Sequence, residues 1–379
     1  MTITQVYNFV NTATKEILGE TATVAQDLSD IVDVGTSIAN ANGYDAFYKS
    51  LVNQIGKMWF VDRPYKGAYA NLFMDSWRFG SIVGKTQAEL MEAQEDPSWD
   101  IQQGGSYDPW VVNLPVVSQK FYNKMDAFRI KMSTPRAQIE QSFRSADEMN
   151  KFLAMLETMV NNSIEVKLES LARACVNNLI GATIYGNNGA RVVKLLTLYA
   201  ADTGISLTAE KALLDKDFLA YATAVLMDYK DFLEQYTSIL NEGGKARHTP
   251  EGLLHFVALS TFATRCKTHL RSNTFNEDLV KLTKYEEVPF WQGVGTALGL
   301  ADRSKINETC VLDDGTTASV SQSYIVAAMF DDEAAGILQP RREVDSDYNK
   351  EAKFYQTWHD VSIRYFNDFN ENCVVFLLA

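Results

Sequence analysis

The residues that could support chemistry are few, and each fails a requirement of the chemistry it suggests. Gly80-Ser-Ile-Val-Gly84-Lys85-Thr86 has the residue types of a phosphate-binding loop, but three residues separate its glycines where that motif needs four to close the amide cradle. Leu312-Asp313-Asp314-Gly315-Thr316 has the outline of an aspartyl phosphotransferase loop with leucine in the nucleophile's place. Asp313-Asp314-Gly315 is more simply a turn. His248, His255, His269 and His359 form no i,i+4 pair and stand in no metal-ligand spacing with Cys, Asp or Glu. His255 and His269 fall on a predicted helix, as partly buried structural residues. Asp331, Asp332 and Glu333 could ligate a hard cation, although a solvated loop after a strand explains them more simply. The four cysteines, Cys175, Cys266, Cys310 and Cys373, are far apart and suggest reduced thiols rather than a disulfide framework. Asn161-Asn162-Ser163 and Asn307-Glu308-Thr309 match the glycosylation pattern, which matters only in a secreted chain. No catalytic residue, cofactor site or metal site is expected.

Composition narrows the alternatives. The 379 residues, 46% hydrophobic and 22% charged, suffice for two or three structural units with a core. No stretch reaches the ~18 to 20 apolar residues of a membrane span, and the start lacks a signal peptide's basic and apolar regions. A soluble protein made in a cytoplasm is expected. The formal net charge of -13 argues against a dedicated nucleic-acid binder, which needs clustered Lys and Arg. It suits a surface that faces polyanions without holding them.

The longest periodic segment is 146–182, with apolar residues at Met149, Phe152, Leu153, Leu156, Val160, Ile164, Leu168, Leu171, Cys175, Val176 and Leu179. Ser145 and Glu148 could form its capping box. Such a helix would be roughly 50 Å long at ~1.5 Å per residue, a strut rather than a core helix. Before it, three short amphipathic helices (6–17, 24–31 and 44–56) form an arm too slight for a core of its own.

Between arm and strut, residues 77–132 read as a projecting hairpin with arms at 79–90 and 116–132. Phe128, Ile130 and Met132 alternate with Arg129 and Lys131 as in a half-exposed strand. The connector contains Pro97, Gly104, Gly105, Pro109 and Pro115, and is too long for a tight turn. From 86 to 110 there are acidic residues at Glu89, Glu92, Glu95, Asp96, Asp100 and Asp108 and no Lys or Arg, whereas the return arm carries Lys120, Lys124, Arg129 and Lys131. A two-stranded ribbon is unstable alone in water, so it needs something to lie on.

After the strut, a β-like run at 191–199, a turn at 202–206, helices at 217–240 and 250–270, and strands at 279–282, 288–291, 309–312 and 324–330 make a compact α/β unit. Strands at 354–365 and 373–378 close the chain. The apolar CVVFLLA run is expected to pair in the sheet beside the strut.

This order of parts, with FYKSLVNQIG at 47–56, FRSADEMNKFLAMLETMVNNS at 143–163 and WHDVSIRYFNDFNENCVVFLL at 358–378, resembles the major capsid proteins of tailed bacteriophages, closest to those of small short-tailed phages. The resemblance covers nearly the whole chain. It implies the α+β Johnson fold: an N-terminal arm (1–76), an extended β-hairpin loop (77–135), a peripheral domain with a spine helix (136–200 and 340–379), and an axial α/β domain (201–339). It further implies hexamers and pentamers of an icosahedral head, formed in the host bacterial cytoplasm around double-stranded DNA, with a portal protein as partner. Some relatives carry a helical assembly region ahead of the arm; its absence here suggests a separate scaffolding protein.

On this basis the acidic connector, through Glu92, Glu95 and Asp96, is expected to dock on a basic surface of an adjacent subunit. Trp99 and Trp110 would serve as apolar anchors, and Lys120 and Lys124 as further inter-subunit contacts. Two alternatives remain at this point: an encapsulin-type cellular compartment, and a cytoplasmic enzyme using an unrecognised acidic site.

Overall fold

The computed structural model describes residues 11, 14–15, 64–74, 83–135, 146–186, 189–273, 284–292 and 299–379. The chain divides into two units, Met1–Arg63 with Asp147–Met155, and Pro64–Ala146 with Leu156–Ala379. In the first, Asn11, Thr14 and Lys15 are helical, as is 147–155. The remainder of the expected arm helices, the 279–282 strand, Ser145 of the expected capping box and Gly80 lie outside the described residues.

The second unit is organised by residues 156–185 of the longest helix. After β1 (Phe73–Met74), β2 (Val83–Ala88), β3 (Val117–Tyr122) and β4 (Met125–Pro135) comes the 40-residue helix α1 (Ala146–Tyr185). Its expected extent, 146–182, falls three residues short of the observed end. Val160, Ile164, Leu168 and Ala172, then Cys175, Val176, Leu179 and Ile180, form one buried stripe at three- and four-residue spacing.

Beyond α1 the chain alternates strands and helices. These are β5 (Val192–Lys194), α2 (Leu195–Thr203), α3 (Ala209–Ala212), α4 (Lys216–Glu234), β6 (Leu254–Leu259), α5 (Ser260–Asn273), β7 (Lys284–Val288) and α6 (Leu300–Arg303). The strands β8 (Ile306–Val311), β9 (Thr317–Gln322), β10 (Ile325–Asp331), β11 (Ala335–Asn349), β12 (Phe354–Asn367) and β13 (Cys373–Leu377) follow.

A five-stranded mixed sheet runs β5-β13-β10-β6-β7. Cys373, Val375 and Leu377 of β13 join the core formed with α1, while Val374 and Phe376 join the core formed with Phe218, Leu219 and Ala222 of α4 and Phe262 of α5. The two-residue period of a strand therefore feeds two cores, and the sheet is the middle of three layers. The 373–378 segment is paired and buried beside α1, as its apolar composition requires. A second sheet, β1-β11-β12-β4, packs Ile337, Val361 and Ile363 against the α1 core. Its strand β11 shifts register between Leu338 and Arg341, around Pro340, which has no N–H to give to a ladder.

Five expectations need correction. The strand expected at 288–291 lies earlier, at Lys284–Val288. Leu254–Leu259 lies in the predicted 250–270 helix but is a strand, buried at all six positions. A strand covered on both faces carries no polar alternation, so periodicity cannot separate it from a buried helix. His255 is thus a buried strand residue. The 191–199 run becomes helical at Leu195, and Gly204 ends that helix at φ 76 in place of a 202–206 turn. Helix α4 stops at Glu234 instead of 240, because Gln235 is extended and Thr237 bridges Arg247. The return arm of the hairpin is two strands: β3 pairs with β2, whereas β4 pairs with β12. In β4, Phe128, Ile130 and Met132 are half-buried against the core while Arg129 and Lys131 are exposed.

Strand β11 runs through the expected 339/340 domain boundary, and β13, expected in the peripheral domain, pairs with β10 of the expected axial domain.

Candidate interaction loop and its anchorage

The ribbon β2–β3 carries the connector of residues 89–116. Its register pairs Val83 with Tyr122, Lys85 with Lys120, and Ala88 with Val117. Because side chains alternate along each strand, Lys85 and Gln87 share a face with Lys120 and Tyr122. Val117 and Phe121, on the opposite face, are exposed.

The inward face meets the corner between β12 and β13, Asn367 to Asn372. Lys85 Nζ donates to Asp368 Oδ2 at 3.0 Å and to Glu371 Oε1 at 2.7 Å, and it pairs with Glu333 at 2.9 Å. Lys120 Nζ donates to Asp368 Oδ1 at 3.0 Å and to Asp313. Gln87 Nε2 donates to Glu371, and Arg247 Nη2 donates to Gln87 Oε1 at 2.8 Å. Lys245 pairs with Glu89 just past the end of β2. The apolar contribution is a tilted ring contact between Tyr122 and Phe366, with centroids 5.2 Å apart.

The corner is itself fixed. Asp368 N donates to Ala334 O at 2.8 Å, and Asn370 N donates to Asp368 Oδ1 at 3.2 Å. Asn367 Nδ2 donates to Cys175 O of α1 at 3.0 Å, and Asn372 Nδ2 donates to Thr249 Oγ1 at 3.2 Å. Asp368 is 1% exposed. Burial pushes its carboxyl upward, but the ammonium groups of Lys85 and Lys120 together outweigh this and hold it below the usual aspartate range. Burial likewise opposes the charge on Lys85, and Asp368, Glu371 and Glu333 reverse the effect and raise it.

The connector is bare by contrast. Trp99 is 91% exposed and Trp110 84%, with Leu90, Met91, Ile101, Val111, Val112 and Leu114 also exposed. Asp96 accepts from Ser98 N at 2.9 Å, which holds its carboxyl below the usual range, and Asp108 accepts from Trp110 N at 2.9 Å. These local bonds shape the turns that present the two indoles. Glu92, Glu95 and Lys124 are exposed. Six of the seven expected contact residues are thus on the surface. Lys120 is bound to Asp368 and Asp313 of its own chain, because the strand alternation turns it inward.

On the β4–β12–β11 sheet lies an open groove of about 550 Å³, lined in part by Arg129, Lys131 and Arg341 and by Glu343 and Asp360. Arg129 pairs with Asp360, and Arg341 with Glu343 at 2.6 Å.

The other candidate residues have structural partners. Gly84, Lys85 and Thr86 belong to a strand rather than a phosphate cradle. Asp313-Asp314-Gly315 forms the β8–β9 turn, with Gly315 at φ 80. His255 Nε2 lies 2.6 Å from Asp332 Oδ1, and Lys284 pairs with the other oxygen at 2.7 Å. Burial pushes the Cys175 thiol up to about 12 and those of Cys266, Cys310 and Cys373 up to about 11. Among the described residues no group of three His, Cys, Asp or Glu side chains could hold a metal ion, and no helix is long and apolar enough to cross a membrane.

Asp368, Glu371 and Arg247 were not anticipated. The one available signal was the alternation Lys85-x-Gln87-x-Glu89, which marks a polar face on a strand; its partners lie 283 to 286 residues away from Lys85 and cannot be read locally.

The fold is similar to that of chains in solved structures of phage particles. The chain matches one from the capsid of Staphylococcus phage Andhra with a TM-score of 0.57 and 11% identity, covering 86% of this chain and 87% of that one. It matches another, from the structure of the head fibre and inner core protein gp22 of native bacteriophage P68, with a TM-score of 0.53 and 11% identity, covering 86% and 88%. No curated protein matches it in sequence. The fold is that of a phage capsid subunit. The profile of the Phi29-like phage major capsid protein family matches residues 10–377, and the chain belongs to that family. It is a structural subunit of a phage head and part of the virion, and neither finding favours a cellular compartment.

Proposed function

We propose that copies of this chain assemble through hexamers and pentamers into an icosahedral head enclosing double-stranded DNA, without a catalytic role. Within residues 77–135 the ribbon β2–β3 and its connector act as the extended loop while β4 joins the sheet of the peripheral domain; 1–76 act as the arm, 136–200 with 340–372 as the peripheral domain, and 201–339 with β13 as the axial domain. The observation that carries the assembly reading is the pair of uncovered indoles, Trp99 and Trp110, on a ribbon tethered at its base. An apolar surface of this kind, held out by an anchored support, is suited to burial against another molecule.

Glu92, Glu95 and Asp96 dock on a basic surface of the adjacent copy. The groove with Arg129, Lys131 and Arg341 is the candidate surface, where Lys131 stands beside the Arg129–Asp360 and Arg341–Glu343 pairs that an incoming carboxylate would have to share. A scaffolding protein and a portal protein are the further partners that the resemblance implies, and assembly takes place in the host cytoplasm. The net charge of -13 lets the inner surface face DNA without sequence-specific binding.

The test is the combined variant Glu92→Lys, Glu95→Lys and Asp96→Lys, expressed with the neighbouring genes. Electron microscopy and light scattering should show a lower yield of shells, while the free chain melts as wild type does. Shells at wild-type yield would refute the docking surface.

A further inference from the structure

The ribbon's attachment is polar at nearly every inward position, and one buried group touches both strands. Asp368 accepts from Lys85 on β2 through one oxygen and from Lys120 on β3 through the other, each at 3.0 Å. The remaining partners are one-sided and more open to water: Glu333 reaches only Lys85 and is 54% exposed, and Asp313 reaches only Lys120 and is 40% exposed. Glu371 is buried but bonds only to β2 residues of the ribbon, Lys85 and Gln87. A ribbon held by one strand can swing about that point, whereas two points on opposite strands fix its direction.

We infer that Asp368 is the positioning residue of the loop: by clamping both strands at once it sets the angle at which the connector leaves the body, and so the curvature at which copies join. This rests on the connector being the contact between copies. The assignment explains why two lysines face each other across the ribbon. Without Asp368, Lys85 keeps Glu371 and Glu333 and Lys120 keeps Asp313, but no one of these carboxylates spans the two strands, and the outward residues Val117 and Phe121 are exposed and add nothing to the attachment.

Asp368→Asn is the informative change, since the amide oxygen can still accept from Asn370 N and keep the corner folded. Hydrogen exchange on the unassembled chain should show the amides of 83–88 and 117–122 exchanging on the order of tenfold faster, with those of 373–377 still protected. Electron microscopy of the co-expressed variant should show tubes, open sheets or shells of irregular size. Lys85→Met with Lys120→Met should reproduce both effects and covers the case where Asp368→Asn fails to fold; since it leaves Asp368 and Glu371 without those ammonium groups, protection of the 373–377 amides is the control that the corner remains folded. Asp368→Glu should recover closed shells in part.

Unchanged exchange in the ribbon of either variant would overturn the clamp. Faster exchange with uniform closed shells would overturn its role in curvature. Wild-type chains that never form shells would overturn the assembly reading and this inference with it, and the exchange result would show whether the clamp itself stands.

Discussion

Lys85 and Lys120 stand directly opposite each other in the ribbon, two ammonium groups at a single cross-strand position. A like-charged pair in this position destabilises a hairpin. Here Glu333, Glu371 and Asp313 each offset one of the two charges, and the carboxylate of residue 368 lies 3.0 Å from both nitrogens. The hairpin is therefore complete only when a distant part of the chain is in place.

The first prediction follows from the depressed carboxyl of Asp368. A folded-state value below the unfolded one stabilises the fold above the ordinary aspartate range, near pH ~4, and that contribution is lost as pH falls through the depressed value. Hydrogen bonds to charged groups contribute about 1.5–3 kcal/mol each. A profile of melting temperature against pH should fall steeply in acid for wild type and less steeply for Asp368→Asn. Parallel acid limbs would show that another group dominates.

Gly181 lies in α1 against the β8–β9 hairpin, where a Cβ would overlap Cys310 Sγ. Alanine gains about 1 kcal/mol of helix propensity, but overpacking a filled core costs about 1–3 kcal/mol. Gly181→Ala should lower the melting temperature, and adding Cys310→Ala should recover most of the loss. A single variant that melts above wild type would contradict the close approach.

Glu286 is buried on β7, with Oε1 accepting from Asn71 N at 2.9 Å and Oε2 without a hydrogen-bond partner among the described residues. Burial raises its carboxyl above the usual range despite that bond. For a raised carboxyl the sign reverses: stability is greatest below the ordinary glutamate range and declines as pH rises toward the folded-state value. Glu286→Gln should flatten that decline and melt higher than wild type at pH 7. An unchanged slope would remove Glu286 from the pH dependence.

Long-period features were legible in the sequence and pairing partners were not. Helix α1 could be read because its buried stripe repeats over many turns, and β12 because Val361 and Ile363 alternate with polar neighbours. The run from Leu254 to Leu259 defeated periodicity because both of its faces are covered. In the loop, Trp99 and Trp110 could be seen as candidate anchors from type and context. The division of 116–132 into two strands could not, since β3 and β4 alternate alike and differ only in what they pair with. Lys120 shows the same limit: a cation on a strand face does not reveal which face is turned inward.

The position of β13 in its sheet also bears on the order of events during synthesis. It lies between β5 and β10, so among the described residues β5 has no strand neighbour until residues 373–377 have been translated. The corner that holds the ribbon, 367–372, emerges in the same late interval. A nascent or prematurely terminated chain therefore lacks both the middle of its sheet and the support of its connector. Contacts so distant in sequence form slowly. A chain shortened before residue 367 loses its sheet centre and its ribbon support together.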